Sequence, residues 1–286
     1  MTPDAPPGPL PPLGAAGPLR SAPVDQTGTM FVTRRDGVVT VTFNRPHRKN
    51  ALTARMLDDL ASVLSEVERR PEDRVLVLTG AGGAFCSGAD LAGPDSPANG
   101  PAGSALTRVR RVGDIALMLH RLRMPTIAKV DGVAVGAGLG LVLGCDLVVA
   151  SERACLSTIF VRRALSPDSG ISWLLPRLVG VARAKELAFL GDMLDAATAR
   201  DLGLVGRVVP VEDLDATVDE LATRLADGPS LALSLTKKLL DGAWTSSLDD
   251  ALEHEAQAQA LNMAGPDTAE ALRAFLDKRE PRFRPA

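Results

Sequence analysis

One glycine-dense stretch, Lys129 to Asp146 (K-V-D-G-V-A-V-G-A-G-L-G-L-V-L-G-C-D), constrains the fold more than any other part of the chain. A strand-like apolar run, Thr126 to Val130, enters a turn at Asp131-Gly132. The chain then passes through Gly136-Ala137-Gly138 and leaves on a short apolar segment closing at Asp146. Glycine loses more conformational freedom on folding than any other residue, so such density signals a need for bare backbone. One such need is an N–H group aimed at an anion or a developing oxyanion. The other is a glycine-rich crossing between packed strands. Spacing alone leaves both open.

At 286 residues the chain can bury a large core in one domain or two small ones. A net charge of -3 gives no nucleic-acid footprint, and the basic residues are scattered apart from Arg34-Arg35, Arg45 to Lys49 and Arg108 to Arg111. Cys86, Cys145 and Cys155 lack C-x-x-C spacing, and His47, His120 and His254 lie far apart, so a metal site has little to build on. Reduced cysteines and a cytoplasmic location are expected. The Pro-, Gly- and Ala-rich residues 1–28 lack the pattern of a secretory leader and are expected to be a disordered extension. The longest apolar run, Val133 to Leu143, is too short and glycine-broken to span a bilayer, so no membrane partner is expected.

Two alternating runs around Asp36-Gly37, spanning Met30 to Phe43, predict a β-hairpin. Thr53 is placed to cap a helix running to about Arg70, with Met56, Leu57, Leu60, Val63, Leu64 and Val67 on one face and Pro71 ending it. Residues 74–79 read as a buried strand leading into Gly80-Ala-Gly-Gly-Ala-Phe-Cys-Ser-Gly-Ala-Asp-Leu91. Residues 92–104 read as a long loop, 105–122 as a helix and 147–150 as a strand. The alternation predicts an α/β chain with crossover connections. Residues 160–178 look irregular. Beyond Val181 helices are expected over 181–190, 196–202, 212–226, 230–243, 247–263 and 267–278, interrupted by a short strand at 207–210. The implied division is a core over 29–210 and a helical region over 211–286.

Several sites can be set aside. Gly136-x-Gly138 lacks the third glycine of a dinucleotide fingerprint, because Leu141 stands there. No glycine run carries Gly-Lys-Ser/Thr, and Cys86-Ser87-Gly88 lacks the first glycine of a nucleophile elbow. What remains is a pair of glycine-rich strand-to-helix turns, Ser87-Gly88-Ala89-Asp90 and Gly136-Ala137-Gly138, separated by a helix. Two N–H groups converging on one carbonyl oxygen would form an oxyanion hole, about 3–4 kcal/mol per donor.

The ordered segments Asn44 to Leu52 (N-R-P-x-x-x-N-A-L), Phe85 to Leu91 (F-C-S-G-A-D-L), Gly144 to Asp146, Leu175 to Gly180 (L-P-R-L-V-G), Leu190 to Val205 and Phe275 to Phe283 resemble the crotonase superfamily, or enoyl-CoA hydratase/isomerase family. The similarity spans about 29–284. It implies a spiral of β-β-α turns with a C-terminal helical trimerisation region, in homotrimers or dimers of trimers. It also implies an acyl-CoA thioester substrate, with no cofactor beyond the CoA moiety that the substrate carries. Ala89 and Ala137 would supply the oxyanion-hole N–H groups. Gly88, Asp90, Leu91 and Gly136 would flank that hole, and Asn50, Ala51 and Leu52 would lie near CoA. Phe275 and Lys278 resemble residues that complete a neighbouring subunit's CoA site.

Departures from the family pattern narrow the chemistry. Hydratases use two glutamates; the corresponding positions here are Gly140 and Phe160, placed with Trp173 in the expected substrate pocket. Neither can deprotonate water or deliver a proton. In Pro167-Asp168-Ser169-Gly170 an aspartate stands where hydratases commonly carry glycine. With the following W-L-L-P-R, this resembles the branch of enoyl-CoA isomerases that includes the phenylacetate-pathway (PaaG-type) enzyme. A lone carboxylate in an apolar pocket has its pKa raised towards a value suited to shuttling a proton. The same residues are also good turn and cap chemistry for a helix starting near Gly170. Double-bond isomerisation with Asp168 as proton shuttle is therefore expected. The alternatives are a hydratase, hydrolase or lyase with an unusual acid/base set, and a non-catalytic acyl-CoA binder in which Asp168 only caps.

Overall fold

The computed structural model describes residues 28–92 and 102–283. The proposed N-terminal extension, up to residue 27, and residues 93–101 of the expected loop lie outside the described residues.

Alternating apolar residues make the hairpin: β1 (Met30–Arg35) pairs antiparallel with β2 (Val38–Phe43), and Asp36 and Gly37 both take positive φ at the turn. β2 then pairs in parallel with β3 (Val75–Gly80), which pairs with β4 (Thr126–Val130), β6 (Leu147–Ser151) and β9 (Arg207–Val209) in turn. This six-stranded sheet has the order β1-β2-β3-β4-β6-β9. Short strands β5 (Val133–Val135), β7 (Cys155–Ser157) and β8 (Leu194–Asp195) form a second sheet in that order. Two windings, β4–β5 and β6–β7, lay one strand in the large sheet and continue into the short one. The crotonase-like spiral of β-β-α turns is present.

Helix α1 (Ala54–Arg69) starts as expected, with the Thr53 hydroxyl accepting from the Met56 N–H. It buries Met56, Leu57, Leu60, Leu64 and Val67 against the sheet; each such side chain contributes about 1.5–3 kcal/mol relative to exposure. The sheet is covered on both faces, as a parallel sheet requires. Leu76 and Leu78 of β3 point into the cluster shared with α1 and α2 (Ala102–His120). Val75 and Val77, offset by one residue, meet Leu214, Val218, Ala222 and Ala226 of α7 (Leu214–Ala226). Helix α7 therefore belongs to the core, so in packing terms the separate helical region begins beyond residue 211. It comprises α8 (Ser230–Gly242), α9 (Leu248–Ala264) and α10 (Pro266–Asp277).

Two further expectations change. Residues 102–104 are helical rather than loop. The 160–178 region, read as irregular apart from a helix start near Gly170, contains α4 (Ile171–Val179), while the strand-to-helix turn at Gly136 leads, as read, into a short buried helix, α3 (Ala137–Leu143). Helix α3 is apolar and buried on every side and α4 is only 9 residues long, so helical periodicity had little to register. Helices α5 (Val181–Leu190) and α6 (Ala196–Asp201) complete the order. Among the described residues, no helix is long and apolar enough to cross a membrane.

Candidate active site

The two glycine-rich turns are brought together by main-chain bonding. Cys86 forms a parallel bridge with Ala134: its N–H donates to the Val133 carbonyl at 2.9 Å, and its carbonyl accepts from the Val135 N–H at 3.0 Å. The segments then run on side by side. A Cβ placed on Gly88 would lie 3.5 Å from the Ala137 nitrogen and 3.7 Å from the Gly136 Cα. Gly136, at φ 57 and ψ -127, holds a conformation that L side chains avoid, which explains the glycine there. On its other side the first turn is pinned by Leu52, whose N–H donates to the Gly88 carbonyl at 2.8 Å and whose carbonyl accepts from the Asp90 N–H at 2.9 Å. Flanked by these bonds, the Ala89 N–H has no hydrogen-bond partner among the described residues, and nor does the Ala137 N–H. Unpaired main-chain donors on two adjoining segments, Ala137 buried and Ala89 exposed, are what an oxyanion binder would use.

A polar knot supports the first turn. Asn50 is fully buried: its Oδ1 accepts from the Arg45 N–H at 2.8 Å, and its Nδ2 donates to the Ala81 and Ala84 carbonyls. That side chain is spent inside the protein and has no donor left for a ligand. Arg45 donates to the Ala51 carbonyl and pairs with Asp90 at 2.9 Å, with both side chains largely buried. The guanidinium holds the Asp90 carboxyl below its ordinary range, and Oδ1 also accepts from the Ala92 N–H. Asp90 is therefore a structural anion rather than a base. Burial pushes the Cys86 thiol up to about 12, so it is no nucleophile.

The Asp168 carboxylate does not cap α4. The helix begins at Gly170 with no side-chain cap, and it is the Asp168 backbone carbonyl that accepts from the Ile171 N–H at 3.0 Å. The half-buried carboxylate accepts a hydrogen bond from the Ser169 hydroxyl at 2.7 Å, and no cation is paired with it among the described residues. Burial raises its pKa above the usual carboxylate value, and the Ser169 bond partly offsets this. The turn is seated on α3 at Gly140. A Cβ there would meet the Ser169 Cβ at 2.4 Å and the Ser169 carbonyl at 2.8 Å. No side chain, glutamate included, fits at position 140 while the turn occupies this place.

Phe160 is buried with its ring edge 4.0 Å from where a Gly136 Cβ would stand, so it walls the second turn. Trp173 packs edge-on against His120 with the Arg177 guanidinium stacked 3.9 Å from its ring, which assigns it to the α2–α4 contact. Leu91 is exposed beside the first turn; Phe275 and Lys278 are exposed on and just after α10, which packs on α9. Arg162 is an exposed partner of Asp192, and Arg163 is likewise exposed. Asp131 is tied to Arg153 and Ser151, and Asp146 to Thr126 and Lys237. Sequence reasoning missed Arg45 and Ser169: Arg45 stood in a motif as a bare letter, and Ser169 resembled filler in a turn. Among the described residues, no group of three His, Cys, Asp or Glu side chains is gathered to hold a metal.

The sequence profile of the enoyl-CoA hydratase/isomerase family matches residues 33–285. The chain is 42% identical over 248 residues to the 1,2-epoxyphenylacetyl-CoA isomerase of Escherichia coli, covering 86% of this chain and 95% of that protein. It is 34% identical to 4-chlorobenzoyl coenzyme A dehalogenase-2 of an Arthrobacter species, covering 86% of this chain and 90% of the relative. The crystal structure of an enoyl-CoA hydratase from Bacillus anthracis superposes with a TM-score of 0.86 at 33% identity, covering 91% of this chain and all of the other. The chain belongs to the enoyl-CoA hydratase/isomerase family and is an enzyme of the crotonase superfamily.

Proposed function

We propose that this enzyme moves the double bond of an enoyl-CoA thioester, with Asp168 as the proton shuttle. The observation that carries the reading is the state of that carboxylate among the described residues: partly buried, bonded to neither a helix N-terminus nor a cation, and held by one hydroxyl. The thioester carbonyl oxygen would accept from the Ala89 and Ala137 N–H groups. Asp168, ionised, would remove a proton from C2 of a 3-enoyl thioester. The electron pair spreads through the C3–C4 double bond to the carbonyl oxygen as a dienolate, and the same proton returns at C4 to give the 2-enoyl isomer. One proton moves, no electrons are gained or lost, and the only cofactor moiety called on is the CoA of the substrate. That CoA would pass the Asn50–Leu52 segment through its backbone, with Phe275 and Lys278 of a neighbouring copy completing the site. Hydration needs a second carboxylate, and Gly140 and Phe160 supply none.

The test follows 3-enoyl-CoA and 2-enoyl-CoA for double-bond migration, water addition and deuterium uptake from D2O. Wild type is expected to migrate the bond, taking up deuterium only to the extent that the proton held by Asp168 exchanges with D2O before it returns at C4. Asp168→Asn should lose about 10²–10⁴-fold in kcat, the usual contribution of a positioned acid/base. Rapid hydration of crotonyl-CoA by wild type, or undiminished isomerisation by Asp168→Asn, would sink the reading.

A further inference from the structure

Ser169 has three properties that a turn residue does not need together. It is buried, 3% exposed. It holds φ 54, a left-handed conformation uncommon for a residue with a side chain. And its hydroxyl donates to the Asp168 Oδ1 at 2.7 Å, a short charge-assisted bond. Its Cβ rests on α3 at the glycine of position 140, so the residue is clamped from below by the helix. On the other side Pro167 restricts the backbone entering Asp168. Glycine would relieve the φ, and alanine would fill the same contact. Neither would bond the carboxylate.

We propose that Ser169 is a positioning residue that holds the Asp168 carboxylate by one oxygen and leaves the other to carry the proton. The inference rests on the isomerase reading of Asp168. A free aspartate side chain rotates about two bonds; tied at Oδ1, it presents Oδ2 in one direction, and that orientation need not be found during the reaction. The clamp also links two positions. The turn reaches its place because residue 140 has no side chain, so the missing glutamate and the seated Asp168 are one arrangement rather than two independent changes.

The test compares wild type with Ser169→Ala and Ser169→Gly, measuring kcat, KM and the pH profile of kcat/KM for isomerisation of a 3-enoyl-CoA. The glycine variant relaxes the positive φ and so guards against a folding failure in the alanine variant. Both are expected to lose roughly tenfold or more in kcat, the scale of a hydrogen bond to a charged group, with KM little changed. The acid limb should move to higher pH in both, because the lost donor had favoured the ionised carboxylate that acts as the base. Folded variants with an unmoved acid limb and wild-type kcat would overturn the proposal. Asp168→Asn, run alongside, separates the failures: if it stays active the isomerase reading falls, and if it is dead while both Ser169 variants match wild type, only the positioning role falls.

Discussion

Gly138 faces the Cys86 carbonyl so closely that a Cβ there would stand 2.3 Å from the oxygen. No flexible side chain is available to yield; the obstacle is the main chain of the paired turn. Gly138→Ala is therefore expected to force the 86–89 and 133–137 segments apart and to destabilise the protein by about 1–3 kcal/mol, the range of overpacking in a tight core, read by urea denaturation. Its kcat should fall more than that of a surface substitution of equal stability cost, because the Ala89 and Ala137 donors lose their mutual spacing. At this scale the sequence was partly legible. Glycine density announced that backbone mattered at 136–138, and the P-D-S-G run singled out Asp168. The tie from Asn50 to Arg45 and the carbonyls of Ala81 and Ala84 was not legible, because a buried amide carries no pattern of its own.

Between elements, the decisive contact is that of the 166–170 turn with α3. Introducing the hydratase-type carboxylate by Gly140→Glu should not confer hydration, since the new side chain would collide with the Ser169 Cβ and carbonyl. The expected result is an overpacking cost of about 1–3 kcal/mol and reduced isomerisation, with no gain in water addition to crotonyl-CoA. A stable Gly140→Glu protein that hydrates crotonyl-CoA would show that the turn yields readily. Strong periodicity made α1 and the β1–β2 hairpin readable residue by residue. Strands β5, β7 and β8 are two or three residues long, below the length at which alternation has meaning. The pairing of Cys86 with Ala134 is a bridge outside any strand, and that contact is what joins the two turns.

Over the whole molecule, the sheet is closed on both faces while α9, α10 and the α8–α9 turn leave Trp244, Leu248, Leu252, Met263, Phe275 and Leu276 exposed. Large apolar side chains left exposed in such number are what a contact between copies of the chain would bury. Assembly into a homotrimer or a dimer of trimers would cover it. Light scattering on the purified protein should then give about three or about six times the 29.9 kDa chain mass, and a monomer at micromolar concentration would contradict the assembly. The fold class was legible because it rests on strand–helix alternation and ordered motifs. The inclusion of α7 in the core was not, because its small buried residues Ala222 and Ala226 give no sign of which sheet face they meet. The unpaired N–H groups at Ala89 and Ala137 carry a consequence at the level of the genetic code. Both are main-chain donors, so nearly every single-codon change at either position leaves the donor in place; proline alone deletes it. Mutation can therefore exchange the side chains around the paired turns while both main-chain donors stay in place.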